Sequence, residues 1–217
     1  MGSQVSALLS RLFYTKRKCT VPLLGLDASG KSTIVNGLMM PDQGFLATIP
    51  TTGHSIEKKV VGNVEFIMYD VGGGAKTRDF WIHYLEDASA IIYVVDSADC
   101  DRLMEIGDLI KKNSDYPCFK DKPVLVLANK QDLADAMSAE DVEQRLGLVH
   151  IFGSHRPWKC MPVSGNTKAG IIEAFSWLSN TIDNPKIYPA AQKKYQTNLK
   201  VDNLGVSNIR DSPMILN

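Results

Sequence analysis

The sequence predicts a doubly wound α/β sheet, mostly parallel with one antiparallel edge strand, and three observations carry that expectation. Short β-rich runs, apolar at successive positions, recur through the middle of the chain: VPLLGL (21–26), AIIYVVD (90–96) and PVLVLANK (123–130). Strands buried on both faces have this character, because helices cover a parallel sheet above and below. Amphipathic stretches alternate with these runs, as βαβ crossovers require. Two further runs, HSIEKKVV (54–61) and NVEFIMYD (63–70), meet at Gly62-Asn63, a turn-type dipeptide, and predict an antiparallel hairpin.

The helical stretches follow in order. KSTIVNGLM (31–39) comes directly after the first strand and its loop. SAEDVEQRLGL (138–148) opens on Ser138 as a candidate N-cap, with Asp141 and Glu143 in the first turn. AGIIEAFSWLSNTI (169–182) spaces Ile172, Phe175, Leu178 and Ile182 for one buried face. From residue 183 to 217 periodicity is lost and Asn, Lys, Ser and Pro accumulate, which predicts a C-terminal tail largely disordered when unbound. The alternative is docking on the domain through Ile187, Tyr188 and Tyr195.

A chain of 217 residues is one domain with appendages, and 44% hydrophobic residues suffice for a full core. Lys+Arg and Asp+Glu both number 24, so no global basic field argues for a nucleic-acid partner. Cys19, Cys100, Cys118 and Cys160 make no C-x-x-C pair, and the four histidines make no metal-binding spacing. Reduced thiols and no protein-ligated transition metal are the expectation. No apolar run has the length of a bilayer span, and no signal peptide is visible. The chain is expected inside the cell, in the cytoplasm.

Chemistry first shows in GLDASGKS (25–32), which fits G-x-x-x-x-G-K-[ST] directly between a strand and a helix. Glycines let the backbone wrap a phosphate with its N–H groups, and the helix N-terminus adds partial positive charge. The expected phosphate contacts are Gly25, Asp27, Ala28, Ser29, Gly30, Lys31, Ser32 and Thr33. Lys31 reaches the β- and γ-phosphates, and Ser32 ligates Mg²⁺. Asp70, ending an apolar strand, suits the second carboxylate that holds Mg²⁺, and Gly73 offers its N–H to the terminal phosphate.

NKQD (129–132) ends another buried strand, at the same carboxyl edge of the sheet. A carboxylate there accepts from the N1–H and N2–H₂ edge of guanine, a donor pair that adenine lacks. Asp132 is therefore the expected discriminator, Asn129 supports the loop and N7, and Lys130 lays its stem along the ring. In VSGNTKAGI (163–171), the N–H of Gly165 is expected to make a third guanine contact, with Ser164 shaping the turn and Asn166 completing it.

Together GLDASGKST, TIPTTG (48–53), YDVGG, WIHY (81–84), VVDSAD (94–99), VLANKQDL (126–133) and the SGN turn resemble the ADP-ribosylation-factor-like branch of the small GTPases, in order and spacing. The likeness covers residues 1–182. It implies a single P-loop GTPase domain over residues 19–182, a six-stranded sheet with helices on both faces, and GTP and GDP binding with Mg²⁺. It also implies Thr51 as a Mg²⁺ ligand present only with GTP, residues 70–84 as a second switch, and a hairpin that slides by two residues. Such a slip keeps every side chain on its own face.

Three departures from the family stand out: a tail longer than is usual in the branch, and two within the domain. Gly74 sits where the resemblance places the glutamine that orients the attacking water, so slow intrinsic hydrolysis is expected and no catalytic residue is assigned. Lys76, Arg78 or a partner's residue are open substitutes. The family's aromatic effector trio corresponds here to His54, Tyr69 and Tyr84, a more polar surface.

MGSQVS matches an N-myristoylation acceptor with Gly2 as the modified residue. At about 100° per residue, Val5, Leu8, Leu9, Leu12 and Phe13 share one helical face, and Lys16, Arg17 and Lys18 follow. One myristoyl chain alone gives only about 10⁴ M⁻¹, so residues 1–18 form the second membrane signal in this reading. The alternative is a helix that caps a groove on the domain.

The expectation is a monomeric switch that cycles on the cytosolic face of membranes in vesicle or organelle trafficking, with its exchange factor, activating protein and effectors unidentified. A constitutively GTP-loaded interaction protein and a P-loop kinase or ATPase are the competing readings.

Overall fold

The computed structural model describes residues 16–42, 53–154 and 156–184. Six strands form one sheet in the order β2-β3-β1-β4-β5-β6. They are β1 (Arg17–Leu24), β2 (His54–Val61), β3 (Val64–Val71), β4 (Ile91–Asp96), β5 (Val124–Asn129) and β6 (Trp158–Pro162). The helices are α1 (Lys31–Met39), α2 (Ala75–Arg78), α3 (Trp81–Asp87), α4 (Leu103–Ser114), α5 (Ala139–Leu146), α6 (Leu148–Phe152) and α7 (Ile171–Asp183). Edge strand β2 pairs antiparallel with β3, and the other pairings are parallel. The doubly wound sheet with one antiparallel edge strand is thus the observed architecture.

Successive residues of the central strands feed two cores. Along β4, Ile91, Tyr93 and Val95 pack with Trp81, Leu103, Ile106 and Val142 on one face of the sheet. Ile92 and Val94 pack with Ile34, Leu38, Phe175 and Leu178 on the other. That two-sided burial is why these runs are apolar at every position rather than at alternate ones.

The hairpin turns at Gly62, whose φ of 59° is the left-handed conformation the dipeptide predicts. Its register runs from His54 opposite Val71 to Val61 opposite Val64. Helix α7 ties down the tip: Ser179 Oγ donates to Val61 O at 2.8 Å and Asn63 Nδ2 to Asp183 Oδ2 at 3.0 Å. Ser138 caps α5 as expected, accepting from the Asp141 N–H, with Glu140 and Asp141 in its first turn rather than Asp141 and Glu143. That helix stops at Leu146, because Gly147 turns into the left-handed region at φ 60° and begins α6.

Two further expectations are corrected. Strand β1 begins at Arg17, not at residue 21, and takes Arg17 and Lys18 into register with Val64 and Glu65. Arg17 Nη1 donates to Ile182 O at 2.7 Å, so this part of the basic cluster is built into the sheet. On α7 the buried face includes Ile171, 1% exposed, and leaves Ile172 45% exposed. Adjacent isoleucines are indistinguishable by periodicity, and the phase is set by Ala174, Phe175, Leu178 and Ile182, all buried. Replacing Ile171 by Ala is expected to cost about 3 kcal/mol of unfolding free energy. The Ile172→Ala change should stay within about 0.5 kcal/mol. Equal losses in urea denaturation would overturn this phase.

Candidate nucleotide-binding site

All the candidate segments leave the sheet at its carboxyl edge. Strand β1 ends at Leu24 and the chain loops over to α1, whose first turn has no side-chain cap. Gly30 adopts φ 93°, and a Cβ there would lie 2.3 Å from Asn129 Nδ2, so glycine is required on both counts. Asp27 and Ala28 are exposed on the crest of the loop, and Ser29 is buried beneath it.

Lys31 is 6% exposed, and its Nζ donates to Gly25 O at 2.9 Å and Leu26 O at 2.7 Å. Its stem therefore runs under the loop and its ammonium emerges where the carbonyls converge. Burial pushes the ammonium down to about 8, against the opposing pull of Asp70 and then Asp27. A buried cation that has given up hydration gains more than an exposed one when a polyanion arrives.

The register of β1 on β3 sets Leu23 opposite Asp70, which is why that carboxylate sits at the loop's exit. Ser32 Oγ donates to Asp70 Oδ2. A hydroxyl and a buried carboxylate in contact at this point are the hard oxygen donors that suit Mg²⁺. Thr51, the third expected ligand, lies outside the described residues, as do Gly2 with the N-terminal segment up to residue 15 and the tail from residue 185.

Asn129 joins the two halves of the site. Its Nδ2 donates to Ser29 O at 2.7 Å, and its Oδ1 accepts from the Gly165 N–H at 2.9 Å. The Gly165 N–H, expected to make the third guanine contact, here donates to Asn129 Oδ1 and holds the SGN turn to β5. Thr33 packs beneath the same turn, so that a Cβ on Gly165 would meet its side chain at 3.2 Å.

Asp132 is exposed and held from below. Ser164 Oγ donates to Oδ1 at 2.5 Å and Asn166 Nδ2 to Oδ2 at 3.0 Å. These bonds, Ser164 first, keep its carboxyl below the usual range, and each oxygen retains a further acceptor position. Lys130, at φ 69°, turns its Nζ to Asp96 Oδ2 at 2.5 Å.

Sequence reasoning missed Asp96, although VVDSAD was visible. Asp96 ends a buried strand just as Asp70 and Asn129 do, and its register with Asn129 was the usable signal.

In the DVGGG run, a Cβ on Gly73 would fall 2.4 Å from Gly25 O, so the turn lies directly on the phosphate loop. Gly74 sits at φ −66°, ψ 151°, a conformation open to any residue, and a Cβ there would meet nothing within 4 Å. Gly74 is thus not a backbone necessity. His54, Tyr69 and Tyr84 do come together, with ring centroids 5.6–6.0 Å apart and Tyr84 Oη 3.0 Å from His54 Nδ1.

A doubly wound sheet whose carboxyl edge gathers a phosphate loop, a buried lysine and a carboxylate oriented by two hydrogen bonds defines the class of P-loop nucleotide-binding domains. A profile of the ADP-ribosylation factor family matches residues 5–182, and the chain belongs to that family. Among solved structures it is similar to the Arl6 BBS3 small GTPase from Trypanosoma brucei with bound nucleotide analogue GppNp. The two share 32% identity over 76% of this chain and 96% of that one, with a TM-score of 0.68. Family and fold together support a GTP-binding switch.

Proposed function

We propose that the chain is a guanine-nucleotide switch that binds GTP and GDP with Mg²⁺, hydrolyses GTP slowly when alone, and cycles on the cytosolic face of membranes. The observation that carries the nucleotide reading is Asp132, fixed from below by Ser164 and Asn166 with its outer acceptor positions turned to solvent. The Trypanosoma relative, whose bound ligand is a GTP analogue, supports the same choice of base. Ser32 and Asp70, with Thr51, would hold Mg²⁺, which neutralises phosphate charge when bound.

Gly2, the apolar face of residues 5–13 and Lys16 support membrane association, and no described helix is long and apolar enough to cross a bilayer. His54, Tyr69 and Tyr84 are the proposed effector surface. Gly74 favours a second reading, a GTP-loaded interaction protein for which hydrolysis is irrelevant.

The test is displacement of fluorescent GDP from the full chain in Mg²⁺ buffer. GDP and GTP are expected to displace it at concentrations about a thousandfold below ATP, because adenine leaves Asp132 without donors. Equal potency of ATP would sink the guanine reading.

A further inference from the structure

Three consecutive glycines should be the loosest stretch of the site, since each adds backbone freedom. In Gly72-Gly73-Gly74, however, the carbonyls are all held. Gly72 O accepts from Thr77 Oγ1 at 2.7 Å and from the buried Trp81 Nε1 at 3.3 Å. Gly73 O accepts from Arg78 Nε at 2.8 Å. Gly74 O accepts from the Thr77 N–H at 2.9 Å, which leaves the single Thr77 hydroxyl proton for Gly72.

A trans peptide is planar, so fixing the carbonyl of one residue fixes the N–H of the next, pointing the opposite way. Thr77 and Trp81 therefore aim the Gly73 N–H, and Arg78 aims the Gly74 N–H. Neither N–H has an acceptor among the described residues. Both belong to the turn that lies against the phosphate loop.

Arg78 does more than hold one carbonyl. Its Nη1 donates to Glu105 Oε1 on α4, and its Nη2 lies 3.5 Å from Asp27 Oδ1 on the crest of the phosphate loop. Arg102 on the far side reaches the same Asp27 oxygen at 3.4 Å and is anchored by Asp99 at 2.6 Å. The Arg78 side chain is 13% exposed, whereas its carboxylate partners Asp27 and Glu105 are 58% and 43% exposed, so the guanidinium is packed while its ion pairs face water. A planar guanidinium can serve three acceptors on three elements at once, and an ammonium cannot.

We propose that Arg78 is a positioning residue, clamping the triglycine between the phosphate loop and α4 so that two backbone N–H groups are presented to a terminal phosphate. This rests on the guanine-nucleotide reading above. Bound in this way, Arg78 is committed to Gly73, Asp27 and Glu105 and does not substitute for the missing glutamine.

The experiment measures release of fluorescent GppNp and of fluorescent GDP from the full chain with Mg²⁺, and takes the ratio of the two rates. Arg78→Ala is expected to raise the triphosphate-to-diphosphate ratio about tenfold, because the lost bond to Gly73 O orients a group that faces only the terminal phosphate, while the long Asp27 contact is a weak, exposed one. Arg78→Lys should not restore it. Glu105→Gln, at an exposed position where folding is not at issue, should raise the ratio about threefold. A merely structural role would speed both releases equally, and that result, or an unchanged ratio in Arg78→Ala and Glu105→Gln, overturns the clamp alone. A wild type that binds neither nucleotide overturns the guanine reading and the clamp with it.

Discussion

Asp132→Asn is expected to weaken GDP binding by about a thousandfold and to improve binding of the xanthine nucleotide. Two charge-assisted hydrogen bonds to guanine, each worth about 1.5–3 kcal/mol, depend on the carboxylate accepting at both oxygens. The amide presents a donor where guanine N2–H₂ also donates, whereas xanthine carries an acceptor oxygen at that ring position. The Asn166 amide and the Ser164 hydroxyl can both reorient toward an asparagine, so the protein side of the site adapts and the cost falls on the base. Competitive displacement by GDP and XDP reads both halves of the expectation. GDP affinity within threefold of wild type would mean that Asp132 does not read the base.

This site was legible in the sequence to the extent that its chemistry sits in short segments leaving buried strands. Asp70, Asn129 and Asp132 each end or follow an apolar run, and the phosphate loop needs glycine at Gly30 for reasons of local backbone shape. Contacts between distant segments left no such trace. Nothing in residues 27, 78 and 105 taken separately announces that one guanidinium bridges all three elements. Gly165 stood out because its turn lies at the right edge, but its bond to the side-chain amide oxygen of Asn129, 36 residues away, left no trace in the sequence.

Fold elements follow the same division. The strands buried on both faces were plain, whereas β6, WKCMP, is five residues of mixed exposure and carries neither alternation nor a continuous apolar run. Helix α4 does carry a usable pattern in Leu103, Ile106 and Ile110, all buried at helical spacing. Lys18 and Thr20 disguised the start of β1, because that end of the strand is only half covered.

Gly74→Gln is expected to accelerate single-turnover GTP hydrolysis by roughly a hundredfold, equivalent to about 2.7 kcal/mol of barrier. The backbone makes this substitution an unusually clean probe. At φ −66° and ψ 151° glutamine adopts the native conformation without strain, and the new Cβ meets no atom within 4 Å. What changes is the amide, whose part in phosphoryl transfer is to position water in line with the terminal phosphate. Gly74→Ala separates this from simple rigidity, since alanine restricts the backbone to the same degree but carries no amide. Alanine should add about 0.4–1 kcal/mol of stability by restricting the unfolded chain, and leave hydrolysis near the wild-type rate. If Gly74→Gln and Gly74→Ala hydrolyse at the same rate, water positioning is not what this chain lacks. A wild-type rate already matching that of Gly74→Gln would mean that another group of the protein, Lys76 foremost since Arg78 is committed elsewhere, orients the water in its place.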